Sequence, residues 1–195
     1  MGIWNSRLVV LASLAVALPA AAQLEEAGPA RLVSERVEVR VGLPSGSAAV
    51  TIRWTLENGA ADPAEARLLV PLPAEAAVSD AKATVGERPL EPEVLLAERA
   101  REAYEGLSGA SGDPSLLEVA GRVALRVRVG PLPGGARLEA VVSYSHFLDR
   151  SGRLRRLALP AFARTEGVPC DLTIAVRSTE AIGAVYSPTH PIEVV

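Results

Sequence analysis

Hydrophobic and polar residues alternate with period two along most of the chain. In Val37-Glu38-Val39-Arg40-Val41 the valines fall on one face and the charges on the other. The run from Ala48 to Leu56 repeats the pattern, with Val50, Ile52, Trp54 and Leu56 set against Thr51, Arg53 and Thr55. Gly42-Leu43-Pro44-Ser45-Gly46-Ser47 between them has the composition of a turn, so the two runs predict an antiparallel hairpin with one buried face. Glu65 to Leu72 predicts a third strand. Proline cannot donate to a ladder, so Pro71 and Pro73 place either its end or a sheet edge there. Val78 to Val85 alternates more weakly, and Gly86-Glu87-Arg88-Pro89 reads as a turn.

The period then changes. From Leu95 to Leu107, residues Leu96, Ala100, Ala103, Tyr104 and Leu107 recur at helical spacing, which predicts an amphipathic helix over about residues 95–107. Ser108 to Gly112 follows as a loop. Val123, Leu125, Val127 and Val129 restore the alternation against Arg122, Arg126 and Arg128. A turn is expected at Gly130 to Gly135, and Arg137 to Phe147 is the return strand. Arg153–Leu159, Asp171–Arg177 and Ile192–Val195 are further strand candidates. One helix among many short strands predicts an all-β fold, an antiparallel β-sandwich with a single inserted helix.

The ends of the chain add a location. Arg7, the apolar run Leu8 to Leu18 and the small residues Ala20-Ala21-Ala22 have the layout of a signal peptide over residues 1–22, cleaved before Gln23. The run is shorter than the roughly 20 residues that span a bilayer and is followed by Pro19, so export to the periplasm, cell surface or extracellular space is expected. Residues 23–32 read as a polar leader. Among 195 residues there is one cysteine, Cys170, so no intramolecular disulfide can form and the apolar core must hold the fold. Net charge is -3 and only Lys82 among the 20 basic residues is a lysine. That mild acidity provides no basic face for nucleic acid. At 4% aromatic residues, the chain also lacks material for a stacking platform.

Candidate chemistry is sparse. His146 and His190 are far apart in sequence, and with a single cysteine they form no zinc motif. Cys170 lacks a glycine turn or helix N-terminus that would activate it, so it reads as an incidental thiol. Ser143 and Ser145 share one face of their strand, while alternation turns His146 to the other, so His146 reads as a surface or rim residue. Phe147-Leu148-Asp149-Arg150-Ser151-Gly152-Arg153 begins like a divalent-ion loop, but lacks the second serine and puts Arg153 where ligands would converge. A turn joining two strands accounts for it. No catalytic, cofactor or metal residues are assigned.

The ordered set Val70-Pro71-Leu72-Pro73, Ala76-Ala77-Val78-Ser79, Gly86, Ala97, Ala100, Tyr104-Glu105, Asp113-Pro114-Ser115-Leu116-Leu117-Glu118, Val127-Arg128-Val129-Gly130-Pro131-Leu132-Pro133 and Tyr144 resembles the VIT domain of vault proteins and inter-alpha-trypsin inhibitor heavy chains. The resemblance covers residues 33–148. Residues 149–195 look like a further β segment leading toward the von Willebrand A domain that follows in relatives and is absent here, as in a truncated reading frame. The resemblance implies a non-catalytic module that binds an unidentified protein partner, as an adhesion or scaffold element of the cell envelope. It implies no cofactor. The alternative is an exported hydrolase with a dispersed site built from Ser145 or Ser187 and His146 or His190.

Overall fold

The computed structural model describes residues 23–24, 30–73, 75–90, 93–96, 123–159, 168–187 and 191–195. Twelve strands lie among them: β1 (Gln23–Leu24), β2 (Ala30–Gly42), β3 (Ser47–Asn58), β4 (Ala64–Leu72), β5 (Ala77–Val85), β6 (Arg88–Leu90), β7 (Glu93–Leu96), β8 (Val123–Leu132), β9 (Arg137–Phe147), β10 (Asp149–Ser151), β11 (Leu154–Arg156) and β12 (Cys170–Arg177). They form a six-stranded sheet in the order β12-β2-β3-β9-β5-β6, a four-stranded sheet in the order β1-β4-β8-β7, and the separate hairpin β10-β11.

The predicted hairpin is present as β2 and β3, with Val37 opposite Ile52 and Val39 opposite Val50. Period two decides what each strand buries. Val37, Val39 and Val41 of β2, then Val50, Ile52, Trp54 and Leu56 of β3, are sealed from water. β9 continues the same layer, setting Val142 against Ile52 and Tyr144 against Val50. In the smaller sheet, Ala66, Leu68, Val70 and Leu72 alternate on β4, and Leu125, Val127 and Val129 on β8. Side chains of both sheets belong to one apolar core. Each large aliphatic side chain so buried contributes about 1.5–3 kcal/mol, and a chain without disulfides depends on that sum.

Four expectations are corrected. The helix over 95–107 does not begin where expected, because Leu95 and Leu96 end β7 and pair antiparallel with Arg126 and Leu125. The register sets Val94 and Leu96 level with Val127 and Leu125, so a period-two match to a ready sheet edge prevails over the helical spacing. Residues 97–107 lie outside the described residues, and no helix occurs among the described ones. The sandwich is mixed rather than antiparallel, since β12 runs parallel to β2 over eight residues. The turn at Gly86 is confined to Gly86 and Glu87, with Gly86 at φ 60°, and Arg88 and Pro89 already belong to β6. Ile192 to Val195 are exposed and form no strand.

Other expectations hold. β4 stops at Leu72, and Pro71 faces Ala124 of β8 in register, while β1 covers only Leu68 and Leu69 on the other side. The opposite flank of Pro71 therefore has no partner among the described strands, which is where a residue lacking an N–H is tolerated. The pairing of Gln23 and Leu24 with β4, and the start of β2 at Ala30, bring parts of the segment read as a leader into the sheets.

One buried side chain ties the loops together. Asn58 ends β3 fully buried, and its Nδ2 donates to the carbonyls of Asp62 at 2.9 Å and Leu132 at 3.0 Å. Its Oδ1 accepts the Ala60 N–H at 3.0 Å, and its backbone carbonyl accepts from Gly135. The close approach of the two loops explains Gly134, where a Cβ would sit 2.1 Å from the Ala61 oxygen.

Candidate functional site

Among the described strands, β12 lies at one edge of the six-stranded sheet, next to the strand that carries the buried Glu35. Its partner strand β2 carries a bulge between Leu32 and Ser34, where two residues oppose one step of β3. The bulge switches the inward face from even to odd positions, so Glu35 points into the core in line with Val37, Val39 and Val41. Glu35 is only 1% exposed. Its Oε1 accepts the indole N–H of Trp54 at 2.8 Å, and Cys170 sits beside it in the parallel register. Burial first, and then the neighbouring Glu35 carboxylate, push the Cys170 thiol up to about 11. Its reactivity is thereby suppressed at neutral pH, which agrees with the reading of an incidental thiol.

β12 has only one partner among the described strands. Carbonyls of Pro169 and Arg177 accept from the amides of Glu35 and Leu43 at 3.0 and 2.9 Å. Alternation in a parallel ladder therefore aims the main-chain groups of odd-numbered residues at β2 and those of Cys170, Leu172, Ile174 and Val176 away from it. On the even face, Ile174 and Val176 pack against the core, while Leu172 stays 40% exposed. A row of backbone donors and acceptors that no described strand pairs, beside an exposed leucine, is the geometry that accepts an added strand.

β9 does not assemble a nucleophilic site. Ser145 is exposed and Ser143 half-buried on one face, as alternation requires, and His146 lies on the other. The expected surface histidine is corrected, because His146 is buried beside Tyr144 with ring centroids 6.0 Å apart. Only the inward parity of β9 and its central place between β3 and β5 bring it there. The Nδ1 of His146 lies 3.0 Å from the Phe147 carbonyl, and Nε2 has no hydrogen-bond partner among the described residues. Burial holds the ring below its ordinary range, against smaller opposing effects of the Phe147 carbonyl and Asp149. Ser145 and His146 are therefore not brought together. His190 lies outside the described residues.

The segment after Phe147, expected as a turn joining two strands, is itself a short hairpin: Asp149 to Ser151 form β10, and the turn is confined to Gly152 and Arg153. β10 and β11 pair Asp149 with Arg156 and Arg150 with Arg155, and Gly152 occupies the left-handed region at φ 61°. Among the described residues no group of three or more His, Cys, Asp or Glu side chains converges.

The order of strands, the proline-ended β4 and the β8 strand through Leu132 can now be compared with known proteins. A family model for the Vault protein inter-alpha-trypsin domain matches residues 34–144. The chain belongs to the VIT domain family. Among solved structures, a candidate nutrient-binding protein from Legionella pneumophila is similar at 14% identity and a TM-score of 0.39, over 67% of this chain and 41% of that one. This chain thus spans less than half the length of that structure. No curated protein matches it.

Within the VIT match, Val70 and Leu72 are core residues, as are Val127, Val129, Leu132 and Tyr144. The motif residues Ala97, Ala100, Tyr104-Glu105 and Asp113 to Glu118 lie outside the described residues. Sequence reading missed the buried polar residues Glu35 and Asn58. Glu35 carried a usable signal, since it continues the odd-numbered valine row by one step. Asn58 carried a local signal in its place before Gly59, since its Oδ1 accepts the Ala60 N–H two residues on, but its partners Leu132 and Pro133 lie 74 and 75 residues away and left no local trace.

Proposed function

We propose that this VIT domain is a non-catalytic interaction module of an exported protein, acting in the cell envelope or outside the cell, and that it engages a protein partner by strand addition to β12. The observation that carries the reading is the outward edge of β12, with the exposed Leu172 near its start. Main-chain hydrogen bonds would supply affinity, and a side chain of the incoming strand against Leu172 would supply specificity. The layout of residues 1–22 supports export. The opposite facing of Ser145 and His146 gives the hydrolase alternative no support.

The test compares affinity capture from the native envelope using the wild-type chain and Leu172→Lys. A charge on an edge strand blocks further pairing and leaves β12 attached to β2. The reading expects a specific protein captured by the wild type and lost with the variant. Equal capture by both would reject the edge as the contact.

A further inference from the structure

We propose that the strand added to β12 is β12 of a second copy of this chain, so that two six-stranded sheets join edge to edge about a two-fold axis at Ile174. This rests on the reading of β12 as a strand acceptor and names its partner. At the edges of the two larger sheets, among the described strands, β1, β6 and β7 hold two, three and four residues, and β6 carries Pro89. β12 runs for eight residues with neither proline nor lysine, and its charges lie near its two ends, at Asp171 and Arg177. Short strands, prolines and lysines are what keep sheet edges from pairing, and β12 has none of these.

Facing residues in an antiparallel pair share one side of the sheet, so Leu172, Ile174 and Val176 must meet even-numbered residues to keep the core side continuous across the junction. With Ile174 facing Ile174, Leu172 faces Val176 and Asp171 faces Arg177 at both ends. The main-chain groups of Leu172, Ile174 and Val176 point away from β2, so these three make the hydrogen-bonded pairs. Asp171 and Arg177 then fall in a non-hydrogen-bonded pair, where facing side chains approach most closely. Both are open to a second partner, since the Asp171 side chain is 72% exposed with Arg36 3.7 Å away, and Arg177 is exposed. Sliding by two residues either way sets Asp171 against Ala175 or Arg177 against Thr173 and loses both ion pairs. A two-fold contact needs a patch complementary to itself, and opposite charges at the two ends of one strand meet that need. This complementarity favours a second copy over an unrelated strand.

The test follows the mass of the full chain by sedimentation equilibrium up to about 1 mM, because so small an interface pairs weakly and reversibly. The wild type should show a monomer–dimer equilibrium. Asp171→Arg and Arg177→Asp, each alone, put like charges at both ends of the junction and should weaken dimerisation by about tenfold or more. An equimolar mixture of the two variants restores opposite charges at both ends and should dimerise as the wild type does. Rescue in the mixture excludes misfolding as the cause of the single losses. Slowing of amide exchange at Leu172, Ile174 and Val176 as the wild type is concentrated keeps the proposal testable if a variant does not fold. The two Cys170 thiols would lie about 27 Å apart at the strand rise per residue, so the dimer should persist under reductant. Losses that the mixture does not restore would overturn the proposal, as would a dimer equally strong in both single variants or one dissolved by reductant. A chain that stays monomeric but still captures another protein, lost with Leu172→Lys, would overturn the second copy and leave strand addition standing. A monomer that captures nothing would overturn both.

Discussion

The indole N–H of Trp54 donates to the carboxylate of Glu35 at 2.8 Å between two side chains that are both sealed from water. The bond joins the bulged end of β2 to β3 inside an otherwise apolar layer. Glu35→Ala would strand a buried donor, and the expected cost is about 2–3 kcal/mol. Glu35→Gln keeps an acceptor in place and should cost less than about 1 kcal/mol. Urea unfolding followed by circular dichroism separates the two, and equal losses would show that the bond carries nothing.

Asn58 predicts a second, independent loss. Its amide satisfies the carbonyls of Asp62 and Leu132 and the N–H of Ala60 in a site without water access. Asn58→Ala should therefore destabilise the chain by about 2–4 kcal/mol, with the larger value if the loops stay closed over the unpaired groups. Asn58→Asp retains the acceptor for Ala60 but turns a carboxylate toward backbone carbonyls, so it should not rescue stability. Thermal unfolding of the three proteins gives the order directly.

A pH effect follows from His146. Burial lowers its proton affinity in the folded state below the ordinary value of 6.5. Below that pH the unfolded chain takes up the proton while the folded chain resists it, so stability falls as the pH drops through 6.5 toward the depressed folded value. Above 6.5 the ring is neutral in both states and contributes no slope. The melting temperature of the wild type should fall more steeply between pH 7.5 and 5.5 than that of His146→Leu. Parallel curves would mean that the ring is not held neutral by burial.

Cys170 should alkylate slowly despite lying on an exposed strand. Raising the thiol from 9.0 to about 11 reduces the thiolate at pH 8 by roughly a hundredfold. Iodoacetamide labelling is expected to lag an unperturbed thiol by about that factor and to accelerate in Glu35→Gln. Rapid labelling of the wild type would contradict the combined effect of burial and the Glu35 carboxylate on the thiol.

The alternation of Val37, Val39 and Val41 and of Val50, Ile52 and Trp54 carried the hairpin and its buried face, because a period of two leaves each residue only one face to occupy. The same alternation separated Ser145 from His146. It could not tell which outer layer covers the inward face, so His146 was expected at a rim and lies buried instead. Leu95 and Leu96 show a different failing, in which a short apolar run fits both a helix and an edge strand until β8 is in place to pair with it. The candidate edge at β12 depended on a parallel pairing with β2 across about 135 residues of sequence, and no local signal encodes such a partner.

The central claim is that β12 receives a strand. Amide hydrogen exchange tests it most directly, comparing the chain alone with the chain bound to the protein that the wild type captures and Leu172→Lys does not. Bound partner should slow exchange at Leu172, Ile174 and Val176, whose amides point away from β2, and leave Asp171, Thr173 and Ala175 unchanged. Protection at other surfaces with no change at these three amides would contradict strand addition.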